Sequence, residues 1–265
     1  SHYSSQSHLI GLRLERAETI DEIAAAARGL TDLVSTLHAQ GAKMSYLMEL
    51  VSALNSRLIG KVFESLVPAS IRERVCLLVL GSEGRSEQIL KTDQDNALIL
   101  ADDLDWPQAA EVCEAFSAAL EKLGYPPCPG KVMVNNPGWR LRQSEWRERL
   151  YQWSSNYDPN AMLELAITVD ARPIAGNAEL FEPLQRQIVA LGSNDGLMRQ
   201  FAAPALSFNT PLTLFGKVKT DGNGLDIKKG GVFPIVQGLR ALALKAGIAE
   251  TNSFRRAELL AEAGV

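Results

Sequence analysis

The chain has 265 residues, of which 46% are hydrophobic and 22% are charged. This balance is typical of a globular protein with a substantial core and excludes a mainly disordered chain. No apolar run approaches the roughly 18–20 residues that cross a bilayer. The formal net charge of −4 disfavours general nucleic-acid binding, which usually requires a basic face.

The first residues carry no basic segment followed by an apolar core, and therefore predict no secretory signal. The sequence also lacks an initial methionine, which suggests either a processed tag or a piece of a longer protein, and we favour the latter. Cys76, Cys113 and Cys128 are far apart and lack metal-ligand spacing. They predict reduced thiols in a cytoplasmic protein and no zinc site.

Three parts follow one another along the chain, beginning with a helical arm at residues 1–70. Thr19 and Glu22 fit a capping box that starts a helix. Apolar residues at helical spacing predict one helix before Gly41 and a second that ends near Pro68. We favour a structural role for this arm over a partner-binding one.

The second part, residues 71–176, alternates predicted strands and helices. Asp105 is a candidate cap for a helix that reaches about Leu123, and Trp146, Leu150 and Trp153 share a later helical face. Apolar or β-branched runs predict strands at residues 75–80, 97–100, 132–134 and 166–170.

The third part, residues 177–265, is predicted to be mostly helical. A turn is expected at residues 221–224, and a helix after Gly231 with Ile235, Leu239 and Leu242 on its apolar face. The overall prediction is an α+β fold: a mixed sheet flanked by helices, with a helical arm before it and a helical domain after it.

A phosphate-binding loop is predicted where the first strand ends. Gly81 and Ser82 follow the apolar run 75–80, and Gly lets a phosphate approach the backbone closely. Backbone N–H groups at the start of a following helix attract anions. Most Gly-Ser pairs after strands are ordinary turns, so this pair alone is a weak signal.

Two acids near the loop strengthen that signal. Asp93 and Asp95 stand two residues apart at the start of the next strand, so their side chains project to the same face. Two close carboxylates repel each other unless a cation lies between them. Magnesium binds through few carboxylates together with substrate phosphates. A solvated turn with one capping Asp is the simpler alternative, but it accounts for only one of the acids.

The Gly-Ser pair, followed after ten residues by Asp-x-Asp, resembles the signature of polymerase β-type nucleotidyltransferases. The surrounding residues resemble a narrower branch, the nucleotidyltransferase domains related to the N-terminal part of protein-PII uridylyltransferase. In bacteria these domains often follow CBS and cyclic-nucleotide-binding domains, so the resemblance implies regulatory domains upstream. The similar segments are residues 81–88, 92–97, 128–133, 136–140 and 170–176, and, for the branch's C-terminal substrate-binding domain, 225–234 and 240–244.

The resemblance implies attack by an acceptor on the α-phosphate of a nucleoside triphosphate with release of pyrophosphate, aided by two magnesium ions. It implies that Asp93, Asp95 and Asp170 are the catalytic and metal-binding carboxylates. The nucleotide-binding residues implied are Gly81, Ser82, Arg85, Lys228 and Lys229.

Several of these assignments have alternatives. Asp170, placed on its own predicted strand, could instead pair with Arg172. Arg85 could bind a phosphate or pair with Glu87. Lys228 and Lys229 could face the triphosphate or be solvated.

The function has alternatives too. The acceptor could be a regulatory protein, as in PII uridylylation, or a small molecule. A regulatory module that binds nucleotide without turnover is the second hypothesis. A toxin or antibiotic-modifying transferase fits the tail less well.

Overall fold

The computed structural model describes residues 2–88, 91, 93–207 and 233–265. The chain forms two compact units, one of Ser1–Trp146 with Ala171–Pro183 and one of Arg147–Asp170 with Leu184–Val265. The structure thus groups the chain differently from the predicted division at 1–70, 71–176 and 177–265, which stays a prediction.

The first unit begins with three helices, α1 (His2–Arg16), α2 (Ile20–Ala39) and α3 (Met44–Leu66). The predicted start of α2 is confirmed, because the Thr19 side chain accepts a hydrogen bond from the Glu22 backbone N–H at 3.2 Å. The two helices predicted for the arm are α2 and α3, whereas α1 was not predicted.

A four-stranded mixed sheet follows the arm, with the strand order β3-β2-β1-β4. β1 pairs antiparallel with both β2 and β4, and β2 pairs parallel with β3. The elements in chain order are α4 (Ala69–Arg72), β1 (Val75–Val79), α5 (Gly81–Gly84), β2 (Asn96–Leu100), α6 (Ala109–Lys122), β3 (Arg140–Arg142), α7 (Gln143–Ser155), α8 (Pro159–Val169) and β4 (Arg172–Gly176).

The arm and the sheet share one hydrophobic core. Leu58 and Phe63 of α3 belong to the same buried cluster as Leu77 of β1 and Phe116 of α6. The rings of Phe63 and Phe116 meet edge to face, with centroids 5.9 Å apart. The arm is therefore part of the first unit's core, which supports the structural role predicted for it.

Two predicted strands and one predicted helix cap are wrong. Residues 166–170 form no strand, since they end α8, which Asp158 caps and Pro159 begins. The strand lies instead at Arg172–Gly176, where β4 is an edge strand and therefore tolerates Pro173. Residues 132–134 form no strand of their own. The cap of α6 is Gln108, not Asp105.

The second unit is helical in its described part. It contains α8, α10 (Asp195–Ser207), α11 (Phe233–Lys245) and α12 (Ser253–Glu262), together with parts of α7 and of α9 (Glu182–Ala190). The apolar face predicted for α11 is wrong, because Ile235 is 63% and Leu242 is 47% exposed. The turn predicted at 221–224 lies outside the described residues.

Candidate active site

Gly81 and Asp95 lie against each other where β1 ends. Gly81 has φ +58°, in the left-handed region that favours glycine. A Cβ atom placed on Gly81 would lie 2.8 Å from Oδ2 of Asp95. The Leu80 backbone N–H also donates to the Asp95 carbonyl at 2.9 Å. The structure therefore brings the predicted Gly-Ser loop and one predicted acid into direct contact.

Ser82 is oriented by a buried neighbour. The Gln88 side-chain amide donates from Nε2 to Ser82 Oγ at 2.9 Å, and Gln88 is buried. The hydroxyl of Ser82 keeps its own proton available for donation, since its oxygen is the acceptor here. The loop helix α5 has only four residues, so individual amides and the hydroxyl matter more for anion binding than a helix dipole does.

Asp93 and Asp95 flank a residue that points into the core. Gln94 is buried and donates from Nε2 to the backbone oxygens of Ser117 and Tyr125, both at 3.0 Å. Asp93 is exposed and Asp95 is half-buried. Residues 93–95 precede β2, which begins at Asn96, so the projection of the two acids to one face stays a prediction.

A magnesium ion would find oxygen ligands at these two acids. Two carboxylates are a usual protein contribution when substrate phosphates and water complete the coordination. Among the described residues, no group of three or more His, Cys, Asp or Glu side chains could hold a metal ion. Asp93 and Asp95 are the residues that would hold a magnesium ion here, and magnesium binding by them stays a prediction.

Arg85 and Glu87 form a half-buried ion pair, with 3.0 Å between Arg85 Nε and Glu87 Oε2. Pairing with Glu87 is one of the two alternatives that the sequence left open for Arg85. Binding of a phosphate by Arg85 stays a prediction. The residue between them, Ser86, is a non-glycine residue with φ +58°. Such strained residues cluster at functional sites.

Cys128 adds a thiol beside the acids. The thiol lies near the Asp95 carboxylate. Burial raises the pKa of the Cys128 thiol, and the nearby Asp95 carboxylate raises it further. Because the thiol stays protonated, it can donate to Asp95 without adding a second negative charge.

A buried polar cluster beneath the loop was missed by the sequence analysis. Glu83 is 6% exposed, and neither of its carboxylate oxygens has a hydrogen-bond partner among the described residues. Burial raises the pKa of Glu83 to about 7, and the nearby Arg172 guanidinium opposes the rise. Arg172 donates from Nη2 to the Glu83 carbonyl and to Ser56 Oγ, both at 3.0 Å.

Tyr125 lies near Glu83 and is itself hydrogen-bonded to Asn55. The Tyr125 hydroxyl donates to Asn55 Oδ1 at 2.5 Å, and both residues are buried. Burial raises the pKa of Tyr125, and the charge of Glu83 adds to this rise. The sequence contains one sign of this cluster, the polar residues Gly-Ser-Glu directly after a strand. Those residues do not indicate what Glu83 contacts.

Asp170 lies in the second unit, where it caps the C-terminal end of α8. It is fully buried, and it accepts hydrogen bonds from Arg240 Nε at 3.1 Å and Arg256 Nη1 at 3.0 Å. Its other oxygen accepts from Arg240 Nη2. Its predicted place on a strand is wrong, because Asp170 follows the last residue of α8. The partners that the structure shows for it are Arg240 and Arg256, while its pairing with Arg172 and its role as a metal ligand stay predictions.

The arginines that hold Asp170 are themselves buried. Arg240 also donates to the Gln237 side chain, and Arg256 Nε donates to the Glu250 carbonyl at 2.7 Å. Asp170 therefore ties the end of α8 to α11 and α12. Lys228 and Lys229 lie outside the described residues, so their predicted contact with the triphosphate stays a prediction.

The mixed sheet, with a Gly-Ser loop after its first strand and a carboxylate against that loop, is a polymerase β-like nucleotidyltransferase core. The family described as Putative nucleotidyltransferase DUF294 matches residues 28–160. The domain described as Putative nucleotidyltransferase substrate binding domain matches residues 195–265. The chain belongs to this family, which confirms the predicted branch and its attached domain. No curated protein matches the chain.

Proposed function

We propose that the chain is a magnesium-dependent nucleotidyltransferase that moves a nucleoside monophosphate from a triphosphate to an acceptor. The observation that carries this proposal is the contact between Gly81 and the Asp95 carboxylate. A phosphate seated on the Gly81–Ser82 backbone lies next to a carboxylate, and a cation between them removes the repulsion.

The loop residues bind and orient the triphosphate. Gly81 has no side chain to keep a phosphate away from the backbone, and the Ser82 hydroxyl donates to a phosphate oxygen. Arg85, freed from Glu87, offers a planar guanidinium that can bind two phosphate oxygens. Lys228 and Lys229 are proposed as further phosphate contacts from the C-terminal domain.

Asp93 and Asp95 are proposed as the metal ligands. Magnesium held by these carboxylates would neutralise charge that develops on the phosphates. The acceptor oxygen would attack the α-phosphorus and pass its proton to solvent water, while the bond from the α-phosphorus to the bridging oxygen breaks and pyrophosphate leaves. Positioning and charge neutralisation account for most of such catalysis.

A second function is favoured by the contacts of Asp170. The hydrogen bonds from Arg240 and Arg256 support a structural role for Asp170, and the site would then rely on two acids, Asp93 and Asp95. A regulatory module that binds a triphosphate without turnover needs only the loop and two acids. In such a module the nucleotide would be a signal rather than a substrate.

The finer assignments rest on the resemblance to protein-PII uridylyltransferase and are proposals. They make UTP the first donor to test and a regulatory protein the first acceptor, with signal transduction as the setting. Cys76, Cys113 and Cys128 are free thiols, which supports a reducing compartment such as the cytoplasm. Within the described residues, no helix is long and apolar enough to span a membrane.

Pyrophosphate release distinguishes the two functions. Each common ribonucleoside triphosphate is supplied with magnesium and a soluble extract as the source of acceptors. The Asp93→Asn variant is the control. Release from one nucleotide that disappears in the variant supports the transferase and names its donor. Binding without release from any of them supports the regulatory module.

A further inference from the structure

A polar bridge joins the helical arm to the loop that follows β1. Arg172, the first residue of β4, donates from one nitrogen, Nη2, to two acceptors. One is the backbone oxygen of Glu83 in α5, and the other is the hydroxyl of Ser56 in α3. Both distances are 3.0 Å. One guanidinium nitrogen therefore contacts both the loop and the arm.

The loop depends on support from outside itself. α5 has four residues, and a helix this short is not stable on its own hydrogen bonds. Three of its backbone bonds are local: the N–H groups of Gly84 and Arg85 donate to residues 80 and 81, and that of Glu87 donates to Ser82. The bond from Arg172 to the Glu83 carbonyl ties this main chain to β4.

The Glu83 side chain strengthens the same connection. It is buried without a hydrogen-bond partner among the described residues. The charges of Glu83 and Arg172 interact, since each shifts the pKa of the other against the larger effect of burial. Arg172 thus interacts with both the backbone carbonyl and the side-chain carboxylate of Glu83. Loss of Arg172 would leave the buried Glu83 carboxylate without a nearby cation.

We propose that Arg172 is a positioning residue for the Gly81–Ser82 loop, and that Ser56 makes the loop's position depend on the helical arm. A displacement of α3 would remove the hydroxyl that holds Arg172, release the Glu83 carbonyl and loosen the loop. The inference that this changes triphosphate affinity rests on the proposed function. The positioning itself does not.

Hydrogen exchange of the loop amides tests the positioning directly. Ser56→Ala removes the hydroxyl at a half-buried position, and Ser56→Thr keeps it. Ser56 lines an open groove of ≈ 510 Å³, so the added methyl group of Thr has space. We expect exchange at Gly84–Glu87 to become about 5- to 30-fold faster in Ser56→Ala. The amides of Phe116 and Leu120 in the core should keep their wild-type rates.

The matched variants separate positioning from general destabilisation. Ser56→Thr should restore slow exchange, and Arg172→Lys should exchange fast, because an ammonium lacks the guanidinium's fixed fork of donors. Wild-type exchange at the loop in Ser56→Ala would overturn the proposal. Equal acceleration of the loop and of the core amides would also overturn it, because that result describes a weaker fold.

Calorimetry of triphosphate binding tests the second part of the proposal, that a loosened loop binds triphosphate more weakly. If the wild type binds a magnesium–triphosphate, Ser56→Ala should raise the Kd by a factor similar to the exchange change, and Ser56→Thr should not. An unchanged Kd in Ser56→Ala would overturn the claim that the loop's position affects triphosphate affinity. If the wild type binds no triphosphate, the proposed function fails, while the exchange rates still decide whether Arg172 positions the loop.

Discussion

Gly81 and Asp95 are placed so closely that no side chain fits between them. The Asp95 Oδ2 atom would lie 2.8 Å from a Cβ atom at Gly81, well inside van der Waals contact. The same glycine has φ +58°. The close approach therefore serves two needs at once, a left-handed turn after β1 and an open backbone beside a carboxylate.

Gly81→Ala should abolish triphosphate binding, whereas Gly41→Ala should not. Both glycines have positive φ, so each substitution should cost about 1–2 kcal/mol of unfolding free energy. A Cβ at Gly41 meets nothing within 4 Å, while a Cβ at Gly81 displaces Asp95. Urea unfolding and calorimetric titration with a magnesium–triphosphate give the two quantities. Equal binding by the two variants would contradict the role of Gly81.

Asp170→Asn should destabilise the protein by about 3–5 kcal/mol, because it leaves two buried arginines without their anion. Asp195→Asn is the matched control, since Asp195 pairs with Lys245 at 2.7 Å on the surface. Exposed pairs contribute little to stability, so the control should unfold like the wild type. Urea unfolding measures both variants.

The same substitution decides the role of Asp170. A variant that keeps its unfolding free energy and its nucleotide affinity but loses turnover would show that Asp170 is the third catalytic carboxylate after all. A variant that loses stability, with turnover per folded molecule preserved, would show that it is structural.

Glu83→Gln should stabilise the protein increasingly as the pH rises from about 4.5 to about 7. Burial raises the pKa of Glu83 in the folded state, so the unfolded chain releases this proton at lower pH than the folded one does. The wild type therefore loses stability across that window, by up to about 3 kcal/mol. The amide that replaces the carboxyl group in the variant has no such proton to lose. Unfolding free energies at pH 5 and pH 8 measure the change, and a pH-independent difference would refute it.

The elements predicted correctly from sequence have strong local patterns. β1 is a continuous apolar run in the middle of the sheet, and the start of α2 carries its own cap. The end of α8 was predicted as a strand because Ile167, Thr168 and Val169 favour strands. The signal that decided the outcome was the Asp158-Pro159 pair, which caps and begins a helix.

Buried polar side chains explain the errors in the helical unit. Gln237 and Arg240 lie on the buried face of α11, where a search for apolar periodicity expects Leu and Ile. The hydrogen bonds to the buried Asp170 carboxylate, and not the apolar periodicity, decide which face of α11 is buried, because a buried carboxylate needs cations beside it. Local sequence could not show this, because Asp170 and Arg240 are 70 residues apart.

The candidate site likewise contains residues that the sequence could predict and residues that it could not. Gly81, Ser82, Asp93 and Asp95 are close in sequence and could be predicted as one group. Arg172 contacts residues 89 and 116 positions away, in the loop and the arm. Such contacts depend on how the sheet packs against α3, and short motifs carry no information about that packing.

Magnesium-dependent triphosphate binding by the double variant Asp93→Asn/Asp95→Asn tests the central claim most directly. Calorimetry with and without magnesium gives the affinity. Glu111→Gln/Glu121→Gln, which removes two exposed acids from α6, is the matched control for charge. The account predicts magnesium-dependent binding by the wild type and the control, and its loss in the aspartate variant. Unchanged magnesium-dependent binding in that variant would contradict the assignment of Asp93 and Asp95 as metal ligands.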